Sequence, residues 1–439
     1  MQYLIKDQES PFQRVRPVTH PRSVPMSNEH PSPVRRQVLA AGAATAITGF
    51  PAIIHAQSDK IRIGHLTPQT GFLGTVGEYA VLGVKMAVEE LNKAGGLLGR
   101  EIELLSEDSV NPATASSKAQ RQLERDGAIL LFGEISSASC MAISQVAARN
   151  RKIFVNTGGN SDEIRGKSCN RYMFHVEAAN TMYVNAVATA LLRNNMVSGK
   201  RWFSLTADYA FGHDLLRVGR RFLAANKGDL IENVLVATDA TDFSPFLLKI
   251  RQARPDVVVS NLAGLQVANF IKQYAEFGLQ YPLVGFDMAP AMAWAAGVEN
   301  FAGTWPVRWH PDVNSPSARA FVSAFTAKHG KPPEDQAAAE YFTLKLLVQS
   351  MNEIKSTDAE RLIAHLEKEP QFDILKGRRG YFRAWDHQLM QEMYTMTPKP
   401  KGRAANKWDF MQLSAPLPGD NAKLETLAPT REENDCKMA

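Results

Sequence analysis

The chain has 439 residues, 44% of them hydrophobic and 22% charged, which fits a soluble globular protein with room for two domains of ordinary size. The formal charge is +5, but much of the excess lies in the N-terminal segment, so the body has no basic stripe and nucleic acid is disfavoured as a partner. The three cysteines, Cys140, Cys169 and Cys436, form no CxxC pair or Cys/His cluster, which argues against zinc, haem or iron–sulfur chemistry.

Residues 1–31 are polar and rich in Pro and His. Arg35-Arg36 then precede a weakly apolar Ala/Gly run ending at Ile54, and His55-Ala56-Gln57 supplies a small residue for cleavage after Ala56. This is the pattern of a twin-arginine export signal, and the run is too short and too Gly/Ala-rich to span a bilayer convincingly. Residues 1–56 are therefore expected to be a leader absent from the mature protein, with Met1 and Met26 both eligible as the start. The expected destination is the periplasm, an oxidising space.

From residue 57 strands and helices alternate. Strands are expected at 61–66, 100–107, 128–132 and 153–156, with helices over about 78–94, 114–126 and 140–149 between them. Val84, Ala87, Val88 and Leu91 give the first helix one apolar face, and Gly95-Gly96 ends it. An extended piece, 169–175, leads into helices at 181–193, 214–225, 243–251 and 265–277 and strands at 201–207, 234–236, 256–262 and 281–286. Asp256–Leu262 is β-branched and reads as a buried parallel strand. Gly303–Trp309 is an extended return, followed by helices at 317–329, 336–354 and 358–368 and a closing hairpin from 379–383 and 390–397. This alternation predicts an α/β fold with parallel sheets in two lobes.

The organising stretch is Ala128–Asn160. Two consecutive strands each open into small polar residues, Gly133–Ser139 and Thr157–Ser161. In a parallel sheet both openings lie on one edge, and ligands of open α/β sheets sit beyond that edge. Such loops offer backbone N–H groups and hydroxyls to a small anion, although ordinary βα turns favour the same residues.

Several segments resemble the type I periplasmic solute-binding proteins of the leucine/isoleucine/valine-binding protein family, receptors of branched-chain amino-acid-type ABC transporters. They are the opening IRIGHLTPQTGFLG, the turn Asn92-Lys93-Ala94-Gly95-Gly96-Leu97-Leu98-Gly99, and the runs GEISSAS, VNTGGNSDEIRG, DYAFGHDLL, PDVVVSNLAG and EYFTLKLL, spread over about 60–398. The resemblance implies two Rossmann-like lobes joined by three hinge crossovers and closing on one ligand. It places lobe one at 57–175 plus 308–383 and lobe two at 176–307 plus 384–410, with 411–439 left as a tail. It also implies a non-catalytic receptor, monomeric and without a cofactor, that delivers its solute to ABC permease subunits in the inner membrane. A ligand-sensing role on the same fold is the alternative. No G-x-G-x-x-G or G-x-S-x-G supports an enzyme.

Site residues carry over one position at a time. The loop at Ser136 and Ser137 and the loop at Gly158, Gly159 and Asn160 correspond to those that hold a ligand carboxylate and amino group. Asp287 matches a position that pairs with an ammonium. Tyr209 and Phe211 match an aromatic wall, Phe72 a cover from the first loop, and Ala263 a position where some relatives place a Tyr. That absent Tyr leaves amino acid, amide and aromatic acid all open as ligands. The oxidising compartment makes a Cys140–Cys169 disulfide the expected pairing, with Cys436 unpaired.

Overall fold

In a computed structural model, described for residues 60–438, the chain forms two parallel sheets flanked by helices. The leader and cleavage site expected over residues 1–56 lie outside the described residues. The first lobe begins with β1 (Ile61–Thr67), α1 (Gly74–Lys93), β2 (Ile102–Asp108), α2 (Pro112–Glu124), β3 (Leu131–Gly133), α3 (Ser137–Arg149), β4 (Phe154–Asn156), α4 (Asp162–Arg165) and β5 (Met173–His175). The second contains α5 (Asn180–Arg193), β6 (Arg201–Ala207), α6 (Ala210–Ala225), β7 (Asp229–Val236), α7 (Ser244–Ala253), β8 (Val257–Asn261), α8 (Leu265–Glu276), β9 (Leu283–Gly285) and α9 (Pro290–Ala296). Then follow β10 (Trp305–Val307), α10 (Pro316–His329), α11 (Asp335–Glu353), α12 (Ala359–Leu366), β11 (Tyr381–Phe382), β12 (Leu389–Met390), β13 (Tyr394–Pro398) and β14 (Met411–Leu413).

Strand order is β2-β1-β3-β4-β5 in the first sheet and β7-β6-β8-β9 in the second, every pairing parallel. Both sheets thus step outward from a central first strand, the outcome of right-handed crossovers. The chain passes between lobes after β5, after β10, and between β12 and β13.

Local sequence accounts for the element ends. The Asn111 side chain accepts from the Thr114 N–H at 2.9 Å and Pro112 occupies the first turn, so α2 starts there. Ser315 with Pro316 does the same for α10, and Gly330 at φ +67° stops it. The helix α1 lies against α11 so closely that a Cβ on Gly83 would stand 2.2 Å from the Ala337 carbonyl oxygen. Apolar side chains from both sheets and the flanking helices fill the core, including fully buried Phe132, Phe154, Phe203, Trp202 and Trp305. Burying such a ring contributes roughly 2–3 kcal/mol each from apolar area alone.

Two expectations are corrected. The segment after residue 410 is not a tail. Its β14 pairs antiparallel with β13, and a 3-10 turn at Leu424–Leu427 buries Leu424, Leu427 and Ala428 against Ala178, Met182 and Tyr183 at the start of α5. Few apolar anchors spaced among polar residues and prolines were enough to dock it. The disulfide joins Cys169 to Cys436, with Cα atoms 5.6 Å apart, while Cys140 is free and buried. The docked C-terminal segment delivers Cys436 to the loop before β5, whereas Cys140 points inward to the Asn156 side chain, 3.2 Å away.

Candidate functional site

The carboxyl ends of β3, β4, β6, β8 and β9 all converge on one cleft between the lobes. Of the residues singled out in the sequence, Gly158 and Asn160 line it from the first lobe, and Tyr209, Phe211, Ala263 and Asp287 from the second. The enclosed space is about 50 Å³, room for a few waters or part of a small molecule. Its apolar part comes from Leu73, Val76, Ile135, Val267 and Met292.

Ser136, Ser137, Gly159 and Phe72 stand behind this wall. Helix α3 starts at Ser137, three residues before the sequence pattern placed it, because the Ser136 side chain caps the Ser139 N–H. Ser137 is fully buried, and its hydroxyl oxygen accepts from the Ser161 N–H at 3.2 Å. Gly159 donates its N–H to the Asn156 side-chain oxygen at 2.7 Å, and a Cβ there would meet the Cys140 sulfur at 2.5 Å. Phe72 packs edge-on against Tyr209, with ring centroids 5.7 Å apart.

The loop after β3 carries its own anion. Glu134, at φ +70° and fully buried, accepts from the Ile135 N–H at 3.0 Å and the Ser136 N–H at 2.8 Å. Burial still pushes its carboxyl up to about 7. Likewise the Asn156 side-chain oxygen takes the Gly158 N–H at 3.2 Å. By contrast, the Asn160 amide is 6% exposed, borders the cleft, and has no hydrogen-bond partner among the described residues.

The floor of the cleft is a charged cluster that sequence reading missed. Arg308, just past β10, places one guanidinium nitrogen 2.5 Å from Glu177 and the other 3.8 Å from Asp335. It also donates to the Thr157 carbonyl at 2.6 Å and to the Gln336 side-chain oxygen at 3.2 Å. Tyr183 donates its hydroxyl to the other Glu177 oxygen at 2.8 Å. Behind it, Gln336 and Thr157 both donate to Glu340, at 3.0 and 2.6 Å. Glu177 and Arg308 each sit at a crossover and Asp335 begins α11, so only the folded topology brings them together. The available signal was a single charge inside an apolar run, as in HVEAA and PVRWH.

Asp287 follows β9 and borders the cleft. Burial first, then the Glu177 and Asp335 carboxylates, push its carboxyl up to about 8, against the opposing pull of Arg308 and a hydrogen bond from the Met288 N–H. Burial and Asp287 together also push the Tyr209 phenol up. His175, at the end of β5, is fully buried and held neutral by desolvation, with Nδ1 3.4 Å from the Asn156 amide nitrogen.

The lobes touch around this cleft. The carboxylate of Asp214 on α6 accepts from the Asp162 N–H of α4 at 2.6 Å, and Arg217 reaches Asp162 at 3.3 Å. A Cβ on Gly264, the residue before α8 at φ +52°, would stand 2.2 Å from the Phe72 carbonyl oxygen.

A family model for periplasmic binding proteins matches residues 60–403. A relative from Brucella abortus, named Leu/Ile/Val-binding protein homolog 8, is 25% identical over 386 residues, covering 83% of this chain and 93% of its own. A crystal structure of a periplasmic binding protein from Burkholderia mallei superposes with a TM-score of 0.79 at 27% identity, covering 87% of this chain and 99% of that one. A branched chain amino acid ABC transporter periplasmic ligand-binding protein from Burkholderia xenovorans superposes with a TM-score of 0.73 at 26% identity, covering 86% and 99%.

Proposed function

This chain belongs to the periplasmic binding protein family, and on that premise we propose that it captures a small solute by lobe closure and hands it to the permease of an ABC importer. The working compartment is the periplasm, reached by the twin-arginine signal expected within residues 1–56. The receptor acts as a monomer, and the permease reads the closed form.

The observation that carries this reading is Asp287. A carboxylate at the end of a sheet strand, bordering an interlobe cavity and short of a cationic partner, awaits a positive group on the ligand. In the proposed complex Asp287 pairs with that group, Asn160 and Gly158 hold the ligand from the first lobe, and Tyr209, Phe211 and Ala263 wall its body. Ser136, Ser137, Gly159 and Phe72 act from behind, fixing the two loops and the aromatic cover.

A thermal-shift screen of the protein from Gln57 onward tests this, with a panel of amino acids, amines, amides and aromatic and aliphatic carboxylates. A ligand at 100 times its Kd stabilises by about 2.7 kcal/mol, a shift of a few degrees for domains of this size. The expected result is a shift with amine-bearing compounds that Asp287→Ala abolishes. A panel without any shift, or a shift that survives Asp287→Ala, contradicts the reading.

A further inference from the structure

We propose that the natural ligand is an organic cation: an amine, or an amine whose carboxyl is masked as an amide, on an apolar body, with no free carboxylate. This rests on the receptor reading above and narrows its substrate class.

The charge around the cavity is one-sided. Glu177, Asp287 and Asp335 all border it, against Arg308 alone. Arg308 is itself engaged by Glu177, Asp335, the Thr157 carbonyl and Gln336, so no free cationic side chain faces the space. Further out, buried Lys376 donates to Gln391 and to the Glu392 backbone, both at 2.6 Å, and the Glu392 carboxylate offsets its charge. Glu334, beside Asp335, is held in its neutral form by burial and by that carboxylate. The N-termini of α6, α8, α9 and α11 also border the cleft and add partial positive charge there. Asp287 keeps its proton near neutral pH while the cleft is empty, so its negative charge appears when a cation arrives to pair with it.

The places where a carboxylate would dock are already taken. The Ile135 and Ser136 N–H groups are used by Glu134, a carboxylate built into the chain. The Gly158 and Gly159 N–H groups are used by the Asn156 side chain. A carboxylate brought here would displace an internal partner and approach Glu177 and Asp335, with Arg308 already engaged between them. The Asn160 side chain, on a residue only 6% exposed, borders the cleft with no hydrogen-bond partner among the described residues. Its oxygen accepts from an ammonium or carboxamide, and its nitrogen donates to an amide oxygen. Tyr209 and Phe211, with ring centroids 5.7 Å apart, add aromatic rings beside Asp287, which favour a cation further.

The test is titration calorimetry at pH 7 on the full mature chain with two bodies and four head groups. The aliphatic set is L-leucine, L-leucinamide, 3-methylbutylamine and 4-methylpentanoate, and the aromatic set L-phenylalanine, L-phenylalaninamide, 2-phenylethylamine and 3-phenylpropanoate. Within one set, the amide and amine are expected to bind at least tenfold tighter than the zwitterion, with the carboxylate undetected. Asp287→Asn should remove that preference without lowering the melting temperature. Tighter binding of the zwitterion overturns the cation proposal and leaves the receptor reading intact. Tighter binding of the carboxylate overturns it too and points to an acid receptor. Binding by none of the eight overturns both.

Discussion

Arg308 and Glu177 meet at 2.5 Å in the floor of the cleft, with side chains only 2% and 4% exposed. Each comes from a different crossover, so the pair ties two of the three connections between the lobes. Removing one member of a buried pair strands the other charge, which costs about 3–5 kcal/mol. Glu177→Ala also takes away the acceptor of the Tyr183 hydroxyl. The expected loss in urea unfolding is near the lower end, about 3 kcal/mol, because Asp335 remains 3.8 Å from Arg308. A loss under about 1 kcal/mol would place the pair in the range of exposed bridges instead.

The Asp287 carboxyl makes the ligand-free protein sensitive to alkali. Its folded pKa, about 8, lies above the ordinary carboxylate value, so the folded state holds a proton that the unfolded chain has released. Its contribution to stability is therefore full below about pH 4 and is lost as pH rises through about 8. Asp287→Asn should flatten that decline and stabilise the unliganded protein at pH 9 by about 1–3 kcal/mol, less than the full shift implies because the group borders the cleft. Melting curves from pH 5 to 9 for both proteins check this. Identical slopes would mean that another group titrates.

The C-terminal segment should be covalently fastened. Cys169 and Cys436 are 267 residues apart in sequence, and their bond closes a long loop that includes the second lobe. Cys436→Ser, or reduction, is expected to cost about 2–4 kcal/mol and to open residues after 414 to proteolysis. Thiol titration gives a sharper check. Without reductant, the denatured protein should show one thiol, from Cys140. Three thiols would mean the bond is absent.

Gly264 should control closure. Its φ of +52° suits glycine, and a Cβ there would stand 2.2 Å from the Phe72 carbonyl on the opposite lobe. Gly264→Ala is expected to weaken ligand binding tenfold or more, about 1.4 kcal/mol. Titration of the variant, with circular dichroism to verify folding, decides the point. Unchanged affinity would show that the Phe72 contact is not needed in the bound form.

Much of this architecture was legible in the sequence because it rests on local rules. The β-branched run at Val257–Val259, the Gly95-Gly96 stop after α1, and the small residues after β3 and β4 each report their own neighbourhood. Asp287 was visible because it ends a strand. What escaped notice depends on distance in the chain. Glu177, Arg308 and Asp335 become one cluster only when two crossovers and the start of α11 lie side by side. The loops after β3 and β4 read as an open cradle because composition does not reveal that Glu134 and Asn156 fill it from within. The C-terminal segment looked like a tail because its anchors, Leu424 and Leu427, are few, and the Cys169–Cys436 pairing could not be read before that segment was docked.

Capture of a solute requires the two lobes to close over it. Small-angle X-ray scattering of the protein from Gln57 onward, with and without a saturating concentration of the tightest ligand found in the screen, measures this directly. The radius of gyration should fall when ligand is added, to the value given by the structure described here, and should fall less with Gly264→Ala. A radius that is unchanged at saturation would contradict capture by closure, whatever the ligand.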